Sequence, residues 1–206
     1  MLDHQLRPLK DRLFDAITPH VPPSITPLHI TLVGFLCGLL ACIFTPYGSP
    51  TLSVSFWILN RALDCLDGAL ARHRRQASDL GGFLDLLADF TVYSLIPIAC
   101  ALAPGRSSAT RWLAVAVLEA SFHVNNFVLF YAAAVVEKRK AGGGGKEAEE
   151  LTSVAMRPAL IEGTESAVFF TLMLMVPVCT AGLSWCMAGL VCVGIVQRSR
   201  WLAKVL

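Results

Sequence analysis

Charge is scarce in this chain: only 16% of its 206 residues are Asp, Glu, Lys or Arg, while 55% are hydrophobic. Mean hydropathy is positive. So little charge excludes an ordinary water-soluble domain and points to a single-domain membrane protein. Seven cysteines are present, at 37, 42, 65, 100, 179, 186 and 192, but no Cys-x-x-Cys pair. That absence removes the usual zinc and redox readings; nearly all fall in apolar runs and read as small core residues rather than disulfides. The net charge of +2 says little, and no nucleic-acid partner is expected. No short apolar stretch with a cleavage site opens the sequence, so no removable signal peptide is expected.

What is there is a series of apolar runs of about 17 to 25 residues, each enough to cross a hydrocarbon core of about 30 Å. They predict an all-α integral membrane protein with six transmembrane helices, over 27–44, 51–73, 80–103, 111–136, 158–178 and 183–202. Residues 3–17 read as an amphipathic interfacial helix, with Leu6, Leu9, Leu13, Phe14 and Ile17 on one face. Prolines between His20 and Pro27 end it. Residues 1–26 are thus an N-terminal amphipathic arm and 27–206 the six-helix domain. In the first span Gly34, Gly38 and Ala41 form a small-residue stripe that permits close helix packing. Four consecutive glycines within Glu137–Met156 read as a surface loop. Lysines and arginines sort by side. Those at both termini, in the 73–80 turn, around the glycine loop and at Arg157 fall on one side, against only Arg106 and Arg111 on the other. The asymmetry predicts that both termini face the cytoplasm.

The exceptions to the scarcity of charge cluster. Asp64, Asp67, Asp85 and Asp89 lie in two successive spans joined by a short polar turn. Asp64, Asp67, Gly68 and Ala71 share one helical face; Gly81, Asp85 and Asp89, at i, i+4 and i+8, share another. Antiparallel helices bring those faces together. Four carboxylates in apolar surroundings repel one another, and divalent cations resolve the conflict. All-oxygen ligands favour Mg²⁺, Mn²⁺ or Ca²⁺ over zinc. Gly68 and Gly81 clear space beside the acids, and Arg72, one turn on, suits a phosphate. Acids, metal and arginine together make a diphosphate-handling constellation. Asp64, Asp67 and Asp85 are the best metal ligands, nearest the expected helix contact, and Asp89 is the candidate general base. Arg61, one turn before Asp64, either neutralises an acid or holds a phosphate. Glu119, His123 and Asn126 form a polar stripe that faces protein or a cavity more readily than lipid.

The pattern Asp64-x-x-Asp67-Gly68-x-x-Ala71-Arg72, eight residues, Gly81-x-x-x-Asp85-x-x-x-Asp89 resembles the signature of the CDP-alcohol phosphotransferase family, matching at all eight fixed positions across 26 residues. The resemblance implies a six-helix membrane enzyme, a homodimer, that transfers a substituted phosphate from a CDP-alcohol to an acceptor hydroxyl and releases CMP. It implies two ions, Mg²⁺ or Mn²⁺, on Asp64, Asp67 and Asp85, with Asp89 as base and also touching a metal. It implies that Gly68, Ala71, Arg72 and Gly81 border the CDP moiety. The family often carries Pro-Asn-x-x-Thr at the first span; here Leu28 stands in the Asn place after Pro27, leaving His29 or Thr31 as substitutes toward the nucleotide. The expected donor is CDP-diacylglycerol, in a bacterial inner membrane, with the site on the cytoplasmic side.

The acceptor is the least determined element. Glycerol 3-phosphate is expected from the family's commonest activity, with an inositol phosphate or another polyol as the alternative. Arg61, His123, Arg157, Glu162 and Glu165 are the candidate acceptor contacts, the acids suiting an uncharged polyol or an amine. A cation transporter lined by the four aspartates is the rival from another class, but no motif repeat appears in the second half. A prenyltransferase would need a second acidic motif, and none follows Asp89.

Overall fold

Local chemistry sets where the helices begin and end. The computed structural model describes residues 12–104, 108–142 and 163–205. Helix α1, Pro27–Phe44, starts with proline in its first turn and Thr26 as N-cap. The Thr26 hydroxyl accepts from the His29 amide while the His29 ring accepts from the Thr26 amide, a reciprocal cap. His29 is therefore spent on the helix end. Gly48, with φ +72°, turns the chain through the left-handed region that only glycine enters freely. Helix α2, Pro50–His73, follows at once. Ser78 caps α3, Asp79–Leu102, by accepting from the Gly81 amide at 3.1 Å. Helices α4 (Ala109–Gly142), α5 (Gly163–Met175) and α6 (Thr180–Val205) complete the bundle.

The small-residue stripe of α1 is its packing face. Gly34, Gly38 and Ala41 are buried, and α1 lies chiefly against α2 and then α3. With no side chain at Gly34, the α2 residue Asn60 donates to the Gly34 carbonyl at 2.8 Å. In the second half, α6 packs on α4. Between the halves sits a core of Trp57, Val92, Ile96, Leu118, Phe170, Met173 and Met187. Trp57, Tyr93 and Phe170 meet edge-on, with centroids 5.1 to 6.0 Å apart. The Trp57 indole donates to Thr171 at 2.9 Å, satisfying the polar end of a buried ring.

The fold is all-helical among the described residues, but the count of spans needs refinement. Four segments are long and apolar enough to cross a membrane: Pro27–Phe44, Asp79–Leu102, Ala109–Lys138 and Pro177–Lys204. Two expected spans exist as helices without meeting both criteria. Helix α2 has 24 residues, about 36 Å of helix, but carries Arg61, Asp64, Asp67 and Arg72. Helix α5 has 13 described residues, about 20 Å, and the expected first residues of that span lie outside the described residues. Of the expected amphipathic helix, residues 12–17 are helical, with Leu13 and Ile17 exposed; its earlier residues lie outside the described ones. So do Arg106, Arg157, Glu162 and residues 143–156 of the surface loop expected over Glu137–Met156, whose first residues, 137–142, instead continue α4 as helix. None of the seven cysteines is in a disulfide, and the core reading holds for Cys37, Cys42 and Cys100. Cys179, Cys186 and Cys192 are exposed instead, because α6 and the turn before it present them outward.

Candidate active site

The spacing of the aspartates does what an antiparallel pair requires. Asp64, Asp67, Asp85 and Asp89 line one small pocket of about 10 Å³, together with Thr31, Gly34, Phe35, Asn60 and Ala88. That is about the room of one water-sized sphere. Asp67 is buried, and the Thr31 hydroxyl donates to its Oδ2 at 2.5 Å. Of the two candidates at the missing-Asn place, Thr31 reaches the acids. Asp64 of α2 and Asp85 of α3 line the same pocket from opposite helices.

Arg61 supplies positive charge to this pocket. Its guanidinium pairs with Asp89 through both terminal nitrogens, one contact being 3.3 Å from Nη1 to Oδ2, and lies 3.5 Å from Asp64. Four further contacts fix it. Nε donates to Asn60 Oδ1 at 2.8 Å and Nη1 to the Tyr93 hydroxyl at 2.9 Å. The guanidinium carbon sits 4.8 Å from the Trp57 ring centre and 5.1 Å from that of Tyr93. So the two readings of Arg61 separate: the geometry is that of a residue neutralising acids, and Arg61 is not on the wall of the larger cavity described below.

Gly68 and Arg72 stay together one turn beyond the acids. A β-carbon added at Gly68 would meet Arg72 Nη1 at 3.4 Å, and one at Gly81 would meet the capping Ser78 hydroxyl at 3.1 Å. None of Gly68, Ala71, Arg72 and Gly81 lines the acid pocket itself.

A second cavity, of about 800 Å³, opens between α3, α4, α5 and α6. Its wall carries Glu119, His123 and Asn126, so the α4 stripe faces a cavity rather than bonding to a neighbouring helix. Asn125 and Arg198 join them, Arg198 Nη1 donating to Asn125 Oδ1 at 2.7 Å. Of the acceptor candidates, His123 lies on this wall and Glu165 does not. Among the described residues, Asp89 alone lines both this cavity and the acid pocket.

Sequence reasoning missed Asn60, Tyr93, Asn125 and Arg198 as parts of the site. Asn60 sits one turn before Asp64 on the acidic face, a signal that was readable. The contact between Arg198 and Asn125 spans 73 residues, and no local pattern announces it.

The donor set fits a hard divalent cation: carboxylates with a hydroxyl and a side-chain amide nearby, and no sulfur or imidazole among the lining residues. The acids are gathered but not already closed into a ligand cage. Among the described residues, no group of three or more His, Cys, Asp or Glu stands in ligating arrangement.

A helical bundle with four segments long and apolar enough to cross a membrane, enclosing an acidic pocket, is the architecture of an integral membrane protein. The chain belongs to the CDP-alcohol phosphatidyltransferase family, whose sequence model matches residues 20–197. Members of the family generally depend on a divalent metal. Among similar proteins, Inner membrane protein YnjF of Escherichia coli is 41% identical over 135 residues, 64% of each chain. The archaetidylinositol phosphate synthase of Pyrococcus horikoshii is 42% identical over 66 residues, 32% of this chain and 35% of its own. The CDP-diacylglycerol–serine O-phosphatidyltransferase of Bacillus subtilis is 37% identical over 71 residues, 34% and 40% respectively. The matched region thus spans 64% of YnjF and smaller shares of the other two.

Proposed function

We propose that the protein transfers a phosphatidyl group from CDP-diacylglycerol to the hydroxyl of a small alcohol, releasing CMP, with the site open to the cytoplasm. The observation that carries this reading is the position of Asp89, on the wall shared by the acid pocket and the large cavity. A donor held at the acids and an acceptor in the cavity would meet at that one side chain.

Asp64, Asp67, Asp85 and Asp89 are the residues that would hold Mg²⁺ or Mn²⁺, two ions on the family pattern. Such ions, when bound, supply neutralisation of diphosphate charge. The rest is done by the chain. Asp89 takes the proton of the acceptor hydroxyl, whose oxygen forms a bond to the phosphorus bearing the diacylglycerol. The bond from that phosphorus to the bridging oxygen breaks, and its electron pair leaves with CMP. Thr31 and Arg61 hold Asp67 and Asp89 in place meanwhile. Arg72, with Gly68 beside it, lies at the edge where a phosphate of the nucleotide could be paired. Glycerol 3-phosphate, the acceptor expected from the resemblance, stands in a panel beside others, since the similar proteins are named for archaetidylinositol phosphate or for serine.

The test is CMP release by the purified protein from CDP-diacylglycerol, Mn²⁺ or Mg²⁺ and the acceptor panel. Chelation of the metal is expected to lower the rate by at least about 100-fold, the scale of several kcal/mol of charge stabilisation, and re-addition to restore it. A rate indifferent to chelator would sink the assignment of the aspartates. A metal-dependent cation flux in vesicles without CMP release would favour the transporter instead.

A further inference from the structure

We infer that Glu119 selects the acceptor alcohol, and that this acceptor presents hydrogen-bond donors to the cavity wall rather than a phosphate. The inference rests on the transfer reading above and names the substrate class of the same site. The cavity of about 800 Å³ that reaches Asp89 carries a second carboxylate, that of Glu119 on α4. Its Oε1 is buried and has no hydrogen-bond partner among the described residues. A carboxylate oxygen taken out of water and left unbonded bears its full desolvation penalty. Ionisable groups at membrane depth are kept for a ligand or a partner, and no partner residue meets this oxygen among the described residues.

The remaining wall decides what kind of ligand fits. His123 and Asn126 follow Glu119 at i+4 and i+7, so all three face the same space. Among the described residues Arg198 is the one lysine or arginine on the wall, and one of its five N–H donors goes to Asn125 at 2.7 Å. A phosphate monoester brought beside Glu119 would face a carboxylate with one bound guanidinium to offset two like charges. Hydroxyls of a polyol, or the ammonium of an amino alcohol, instead donate to the bare oxygen. One hydroxyl of such a molecule goes to Asp89 and its donor-rich end goes to Glu119. Polyol and amino alcohol share this chemistry, and the experiment separates them.

Purified protein with CDP-diacylglycerol and Mn²⁺ is assayed for CMP release in three arms: glycerol and inositol; serine and ethanolamine; glycerol 3-phosphate and inositol phosphate. Wild type is expected to use an acceptor of the first or second arm and to leave the third unused. In Glu119→Gln the KM for that acceptor rises about 10- to 100-fold, the value of a hydrogen bond to a charged group, with the KM for CDP-diacylglycerol within about twofold. An ammonium acceptor suffers the larger loss, because Gln still accepts from a hydroxyl but has no charge. Glu119→Asp, which keeps the charge, recovers part of the loss, and retained CDP binding shows that both variants are folded. Release from the phosphorylated arm alone leaves the transfer reading standing and overturns this inference. So does an acceptor KM unmoved in Glu119→Gln. Release from no arm removes the transfer reading and this inference together.

Discussion

Asp89→Asn is expected to cut CMP release by roughly 10²- to 10⁴-fold, the range a positioned general base supplies, while CDP still binds in the presence of metal. Three features place the burden on this residue rather than on its neighbours. Among the described residues, Asp89 alone borders both the acid pocket and the cavity. Its carboxylate is gripped by Arg61, which is itself fixed by Asn60, Tyr93 and the Trp57 ring. And Asn keeps the shape of the side chain and one oxygen that still accepts from Arg61, so the variant loses proton-accepting power before it loses structure. The readout is therefore a split: turnover collapses, while nucleotide affinity by calorimetry and the unfolding midpoint change little. Wild-type turnover in Asp89→Asn would refute the base assignment. Loss of CDP binding along with turnover would make holding the metal, rather than taking the proton, the main role of Asp89. Asp67→Asn offers the contrast. Asp67 is buried, bonded to Thr31 and absent from the cavity wall, so its loss should weaken nucleotide binding as well as turnover.

Much of this site was legible in the chain because it is built from local periodicity. The i, i+3, i+4, i+7 spacing at Asp64 and the i, i+4, i+8 spacing at Gly81 each fix a helical face, and a turn of a few residues leaves two helices no arrangement but antiparallel. The gathering of four aspartates around one pocket follows. Helix α1 was legible for similar reasons: proline at its start and a small-residue stripe along one side. The remainder depends on tertiary contacts that no local pattern encodes. Arg61 finds Asp89 across 28 residues and Thr31 finds Asp67 across 36. The large cavity needs four helices to exist before its wall has a meaning. Span counting fails for an instructive reason at α2, where the residues that make the site are the ones that spoil its hydropathy. The polar stripe of α4 was read as facing protein or a cavity, but only the packed bundle shows that Glu119 and His123 share that cavity with Asp89.

Gly38→Ala should destabilise the fold by about 1–3 kcal/mol, the scale of overpacking, although alanine is ordinarily the better helix residue by up to about 1 kcal/mol. A β-carbon at Gly38 would lie 2.6 and 2.9 Å from the two methyls of Val92 and 3.2 Å from Asn60 Nδ2. Val92 is fully buried and β-branched, so its helix position strongly prefers a single rotamer and the methyls yield only at a cost. Helix α1 must then move away from α3. That movement reaches the site, because α1 carries Thr31, bonded to Asp67, and the Gly34 carbonyl, bonded to the Asn60 that braces Arg61. Activity in Gly38→Ala is therefore expected to fall further than the shift in unfolding midpoint alone would explain. Gly189→Ala is the matched control, since an added β-carbon there meets nothing within 4 Å; its midpoint should hold or rise slightly. The decisive variant is the pair Gly38→Ala with Val92→Ala, which removes the two methyls that the new carbon strikes. Packing that is complementary at this point predicts recovery of most of the lost stability and activity, a coupling that two independent lesions would not show. Simple addition of the two losses would mean that α1 does not rest on Val92, and the acid pocket would then have to be braced by something other than the closeness of these helices.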